Sequence, residues 1–121
     1  MDRESAWELL CEYPRTDGLR KHGLAVETVM RHLARKHGED EAVWGITGLL
    51  HDFDYERWPT MDGHPYEGNK ILAERGYPDD VRTAIMGHAD YTGVARETLM
   101  AKTLFAVGEL TGFVTAVALV R

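Results

Sequence analysis

Residues 48–55 read Gly-Leu-Leu-His-Asp-Phe-Asp-Tyr, and the polar pair His51-Asp52 directly follows an apolar run over residues 46–50. The run is typical of the end of a buried helix, where polar groups are costly unless a partner satisfies them. Three partners are open at this point: a metal ion, a local hydrogen-bond network or a salt bridge. The choice depends on which other residues converge on the pair.

The chain on both sides of this pair is predicted to be helical. Pro14 ends a first helix, Asp17 caps a second, and Gly38 follows the end of the second. Residues 53–63 are predicted to form a loop. No segment alternates in the two-residue manner of a half-buried strand, so we expect one all-α domain over residues 1–121, a bundle of five to six helices. The predicted helices cover residues 3–12, 17–37, 39–50, 65–75, 79–87 and 95 to the C-terminus.

The long second helix carries an apolar stripe at helical spacing. Its members are Leu19, Val26, Val29, Met30 and Leu33. His22 falls on this stripe, whereas His32 and His37 lie off it. His22 is therefore predicted to face the interior.

Composition limits the classes of function. The chain has 121 residues, 44% of them hydrophobic, and a net charge of −6, so it can build a core but repels nucleic acid and anionic membranes. The single cysteine, Cys11, excludes an intramolecular disulfide, and the charged start MDRESAWELL lacks the apolar core of a signal peptide. We therefore expect a cytoplasmic protein with no nucleic-acid partner.

The C-terminal stretch from Leu104 to Val120 is mostly apolar and contains Glu109. A charged residue near the centre of a membrane span costs about 2.5 kcal/mol or more, so a buried helix explains the stretch better than a membrane span. The stretch has no stop signal before Arg121. Two explanations stay open: the natural chain continues past Arg121, or a partner chain, such as a second copy, covers this helix.

Polar residues at predicted helix ends and on the apolar stripe form a candidate metal site, because a helical bundle can bring such residues to one interior point. They are His22, His51, Asp52, His64 and His88. Imidazole and carboxylate together suit a borderline metal. Each residue also has a structural alternative: a hydrogen-bonded core histidine, a helix start, a partner of a helix dipole or a local cap network.

The ordered series of His22, His51-Asp52, Gly63-His64-Pro65 and Gly87-His88 resembles the HD-domain superfamily of metal-dependent phosphohydrolases, from about residue 18 to 120. The resemblance implies that His22, His51 and Asp52 hold a first metal. It implies that Asp52 bridges to a second metal held by His64 and His88, with His51 and Asp52 at the catalytic centre. The expected cofactors are one or two divalent ions of Fe, Mn, Zn, Ni or Mg. The expected substrate is a small phosphorylated molecule such as a nucleotide.

One position departs from the family pattern. The family closes its metal set with an aspartate that often precedes Glu-Leu-Thr-Gly, but Gly108 stands before that segment, residues 109–112. Leu104, Gly108, Thr111 and Thr115 share one helix face, and Glu109 is about 100° away on an ideal helix, which makes it a poor direct substitute. Three consequences are open: full binding with water in the gap, weak binding with slow turnover, or a binding module without catalysis.

Residues near the pair add further candidates. Asp54, Glu56 and Arg57 follow it on a loop that could edge the pocket, and Arg57 is the nearest cation for a substrate phosphate. Asp90 and Tyr91, after His88, could line the site or face solvent. Two other functions remain open beside hydrolysis: a mixed-valence di-iron oxygenase of the same superfamily, and a non-catalytic sensor or interaction domain.

Overall fold

The computed structural model describes residues 1–14 and 16–119, with residues 111–119 as helix backbone alone. The described residues form six α-helices and one short 3-10 helix, Asp90–Thr92, and contain no strand. The predicted all-α fold is therefore confirmed. The helices are α1 (Arg3–Glu12), α2 (Asp17–His37), α3 (Glu41–Leu50), α4 (Tyr66–Glu74), α5 (Asp79–Gly87) and α6 (Leu99–Leu119).

The helix ends follow capping chemistry. The Asp2 side chain accepts a hydrogen bond from the Ser5 amide at the start of α1, and Asp40 accepts one from the Val43 amide at the start of α3. Gly38 ends α2 in the left-handed conformation, with φ of 70°.

Three predicted helix starts need correction. Helix α3 begins at Glu41, two residues later than predicted. Thr16, and not Asp17, is the N-cap residue of α2, and Asp17 is its first helical residue. Helix α6 begins at Leu99, four residues later than predicted. The Thr98 hydroxyl accepts a hydrogen bond from the Ala101 amide, which supplies a start signal that the sequence prediction overlooked.

Close contact between α2 and α3 positions the site. A Cβ atom added at Gly23 would lie 2.7 Å from the Leu49 carbonyl oxygen, and one added at Gly48 would lie 2.9 Å from the Met30 side chain. Only glycine at these positions lets the two backbones come this near. The contact brings His22 of α2 beside His51 at the end of α3.

The core-facing stripe of α2 differs from the predicted one. Val26 and Met30 are fully buried as predicted, but Val29 is 40% exposed. Glu27 is buried instead, because Arg3 and Arg31 pair with its carboxylate at 2.7 and 3.1 Å. An ion pair supplied by α1 therefore lets a carboxylate occupy a place that apolar periodicity alone does not predict.

The end of α6 carries two predictions that lie outside the described side chains. The first is that Thr111 and Thr115 share a helix face with Gly108. The second concerns what covers the apolar stretch up to Val120. Among the described residues, no helix is both long enough and apolar enough to cross a membrane.

Candidate metal centre

Four parts of the fold bring the predicted ligands together. His22 lies in α2, His51 follows the last residue of α3, His64 precedes α4, and His88 follows the last residue of α5. Asp52 comes directly after His51 and lies among the four imidazoles. A helical bundle builds interior sites in this way, from side chains on facing helices.

The first donor group consists of His22, His51 and one oxygen of Asp52. The two Nε2 atoms are 3.1 Å apart. Asp52 Oδ2 lies 3.3 Å from His22 Nε2 and 3.1 Å from His51 Nε2.

The second donor group uses the other oxygen of Asp52. Asp52 Oδ1 lies 3.2 Å from His64 Nε2 and 3.1 Å from His88 Nε2, and these two nitrogens are 3.3 Å apart. Asp52 therefore presents one carboxylate oxygen to each histidine pair, as expected for a bridging carboxylate.

These separations suit metal coordination. Histidine nitrogens and carboxylate oxygens bind zinc at about 2.0–2.2 Å, so donors around one ion are roughly 3 Å apart. In each of the two groups, every ligand atom lies within 4.8 Å of the others. The chemistry and spacing of the donors fit one divalent ion on each side of Asp52.

Hydrogen bonds on the far ring nitrogens prepare two of the histidines for this role. His51 Nδ1 lies 2.7 Å from the Gly48 carbonyl oxygen and donates to it, and His88 Nδ1 donates to the Ile85 carbonyl. A carbonyl oxygen can only accept, so the proton of each neutral ring is on Nδ1. The lone pair on Nε2 then faces the centre of the site.

Asp54 orients the third histidine. Its Oδ1 lies 2.5 Å from His64 Nδ1, and its Oδ2 accepts a hydrogen bond from the Gly68 amide at 2.9 Å. The carboxylate is buried, and a Cβ atom at Gly68 would lie 2.7 Å from Oδ2. The sequence placed Asp54 only on a loop that could edge the pocket. The missed signal is chemical: a metal-binding histidine usually donates its other N–H to an acceptor such as a carboxylate.

The electrostatics of the centre are dominated by Asp52. Burial disfavours the charged form of this carboxyl, but the surrounding His51, His22 and His64 outweigh burial and hold the pKa of Asp52 well below its usual range. Burial likewise opposes charge on His51 and His64. The carboxylates of Asp52 and Asp54 outweigh it and raise the pKa of His64 to about 9, and Asp52 raises the pKa of His51.

A cavity of about 140 Å³ opens beside the first donor group. Helix α6 forms one wall, and Gly108 lies on it. No side chain that the structure describes lies within 4 Å of a Cβ atom added at Gly108. The lining residues are His22, His51, Asp52, His88, Leu104, Phe105, Gly108 and Glu109.

Glu109, which lies about 100° from Gly108 on an ideal helix, lines the same cavity. Residues 104, 105, 108 and 109 all contribute to this wall, so two adjacent rows of α6 face the cavity. The wall is therefore wider than the single row expected from the sequence.

The residues flanking the ligands have mixed placements. The Arg57 guanidinium lies 5.1 Å from the centroid of the Tyr13 ring and 5.7 Å from that of Trp58, and Arg57 is not among the residues that line the cavity. Arg96 lies 3.9 Å from the centroid of the Phe105 ring, which does line the cavity. Arg96 therefore contacts the cavity wall directly.

The three other flanking candidates bind to the scaffold. Tyr91 donates a hydrogen bond to the His64 carbonyl oxygen, and Asp90 pairs with Arg96 at 3.0 Å. Glu56 accepts hydrogen bonds at 3.1 Å from the amide and the hydroxyl of Thr16. None of the three lines the cavity within the described part of the chain.

Comparison with known proteins identifies the family of the chain. The HD domain family model matches residues 19–107, which is most of the chain, and the chain belongs to the HD domain family. Membership places it in a superfamily of metal-dependent phosphohydrolases whose domains bind divalent metals. The matched segment contains all five predicted ligands and ends one residue before Gly108. Neither the curated proteins nor the solved structures gave a match.

Proposed function

We propose that this chain is a metal-dependent phosphohydrolase acting on a phosphomonoester or phosphodiester of a small molecule, such as a nucleotide. The observation that supports it most is the position of Asp52, whose two oxygens face separate histidine pairs at 3.1–3.3 Å. Imidazole with a bridging carboxylate suits two divalent ions of Fe, Mn, Zn or Ni. Many enzymes that catalyse displacement at phosphorus use two metal ions in one site.

Each residue has a distinct task in this proposal. His22, His51 and Asp52 would hold one ion, and Asp52, His64 and His88 would hold the other. The Gly48 and Ile85 carbonyls keep the protons of His51 and His88 on Nδ1, and Asp54 does the same for His64. When bound, the ions supply Lewis-acid polarisation of a phosphoryl oxygen and a water of lowered pKa.

The cavity limits what enters the site. Its volume of about 140 Å³ is well below the roughly 300–1,000 Å³ of pockets that enclose drug-sized ligands. The cavity therefore suits the reacting phosphoryl group, while the rest of the substrate lies outside it.

Charge gives the ions a second role in this proposal. None of the described residues that line the cavity is lysine or arginine, and the net charge of the chain is −6. An anionic phosphate would be repelled by this field without bound cations. Phosphate binding is therefore assigned mainly to the ions, with Arg96 nearer to the cavity wall than the predicted Arg57.

The test is hydrolysis of p-nitrophenyl phosphate and bis(p-nitrophenyl) phosphate by the protein loaded in turn with Mn²⁺, Fe²⁺, Ni²⁺ and Zn²⁺. We expect hydrolysis of at least one ester, its loss in Asp52→Asn, and its retention in Asp62→Asn, which changes an exposed aspartate. Equal rates in the wild type and Asp52→Asn would overturn the proposal. Oxygen consumption by the iron form, without hydrolysis, would favour a di-iron oxygenase instead.

A further inference from the structure

The two donor groups are poor in negative charge. Four imidazoles are neutral when they bind metal, and Asp52 is the single carboxylate that both groups share. Two divalent ions would therefore face only one negative charge from these donors. In a partly buried site, where Asp52 is about one quarter exposed, such an imbalance strongly favours a further carboxylate.

The nearby carboxylates are not equally available. Asp54 is occupied by His64 Nδ1 and the Gly68 amide. Asp90 pairs with Arg96. The carboxylate of Glu109 makes no hydrogen bond or ion pair to any residue that the structure describes, and Glu109 lines the cavity together with His22, His51 and Asp52.

The shape of the α6 wall gives Glu109 access. Gly108 has no side chain, and among the described residues none comes within 4 Å of the place where its Cβ would lie. The glutamate side chain has one methylene more than aspartate and is exposed, so its rotamer can change, and no described residue blocks the Gly108 position between it and the donors.

We propose that Glu109 supplies a further carboxylate ligand to the ion held by His22, His51 and Asp52, an inference that rests on the proposed metal centre. The missing side chain at position 108 then does not leave this group incomplete. The glutamate approaches across the gap from the next position along the helix.

The test compares metal binding in four proteins: the wild type, Glu109→Gln, the double variant Gly108→Asp/Glu109→Gln, and Glu97→Gln. The Glu109→Gln change keeps the size of the side chain and removes its charge. The Gly108→Asp change supplies a carboxylate from the neighbouring position, where no described residue lies within 4 Å of the added Cβ. Glu97 is exposed and lies outside the lining of the cavity, so it controls for the loss of one surface charge.

The readouts are metal content per chain and the dissociation constant for Mn²⁺ by calorimetric titration, with circular dichroism to check the fold. We expect Glu109→Gln to lower the affinity for one of the two ions by about tenfold or more, since even outer-shell partners of metal ligands contribute about 10–100-fold in affinity. Glu97→Gln should bind like the wild type, and the double variant should recover most of the loss.

Two results would overturn the inference, and they are distinguishable. If the wild type binds metal and the dissociation constant of Glu109→Gln is within twofold of the wild-type value, Glu109 is not a ligand. The proposed metal centre then stands. If the folded wild type binds no metal at all, the metal centre and the role of Glu109 fall together.

Discussion

Asp54 and His64 form a buried carboxylate–imidazole pair, with Oδ1 and Nδ1 2.5 Å apart. The pair fixes the proton on Nδ1 and turns His64 Nε2 toward Asp52, at 3.2 Å. The second donor group thus depends on a residue that is not itself one of its donors.

Asp54→Asn should selectively weaken the binding of an ion by the second donor group. The asparagine oxygen can still accept from His64, but its amide nitrogen then meets the Gly68 amide, which is also a donor. We expect a loss of about 10–100-fold in affinity at this group, with the first group retained. Metal content per chain, measured over a titration, should fall from two ions toward one. Unchanged binding of both ions would contradict the role of Asp54.

The protonation of His64 predicts how metal binding depends on pH. The carboxylates of Asp52 and Asp54 raise its pKa to about 9, so at neutral pH an ion that binds His64 must displace a proton. Apparent affinity should therefore rise with pH between neutral pH and about 9 and then level off. Calorimetry in buffers of different ionisation enthalpy should detect proton release. Affinity that stays constant across this range would show that the His64 proton is not displaced by metal.

The close approach of α2 and α3 predicts a stability difference between two glycine variants of the same helix. Gly23→Ala places a methyl group 2.7 Å from the Leu49 carbonyl oxygen and should lower the free energy of unfolding by about 1–3 kcal/mol. A Cβ atom at Gly18 meets no described residue within 4 Å, so Gly18→Ala should be neutral or stabilising by up to about 1 kcal/mol. Urea denaturation measures the free energy of unfolding of both variants. Equal stability of the two variants would contradict the described packing.

Much of the fold could be predicted from local chemistry, because glycine and proline stops and capping side chains act within a few residues. Gly38 ends α2 as expected, and His22 faces His51 because it shares the stripe of Val26 and Met30. Val29 lies outside the buried face of α2, and the burial of Glu27 could not be predicted because periodicity cannot show that Arg3, 24 residues away, pairs with it. Nonlocal ion pairs decide which polar residues a core accepts.

The candidate site was predictable as a set of residues but not as a geometry. The order of the histidines indicated which side chains converge, whereas the support of His64 by Asp54 depends on where α4 begins relative to the loop before it. Whether Glu109 lines the cavity depends on the width of the cavity, which an angle on an isolated helix cannot give. Both features arise from the packing of segments that are distant in sequence.

The most direct test of the metal centre is the metal content per chain, measured by elemental analysis after purification without chelators. The wild type is compared with His51→Ala and with His32→Ala, which changes an exposed histidine outside the site. The metal centre predicts one or two divalent ions per chain in the wild type and His32→Ala, and less than half that content in His51→Ala. Equal metal content in His51→Ala and the wild type, or none in a folded wild type supplied with these metals, would contradict it.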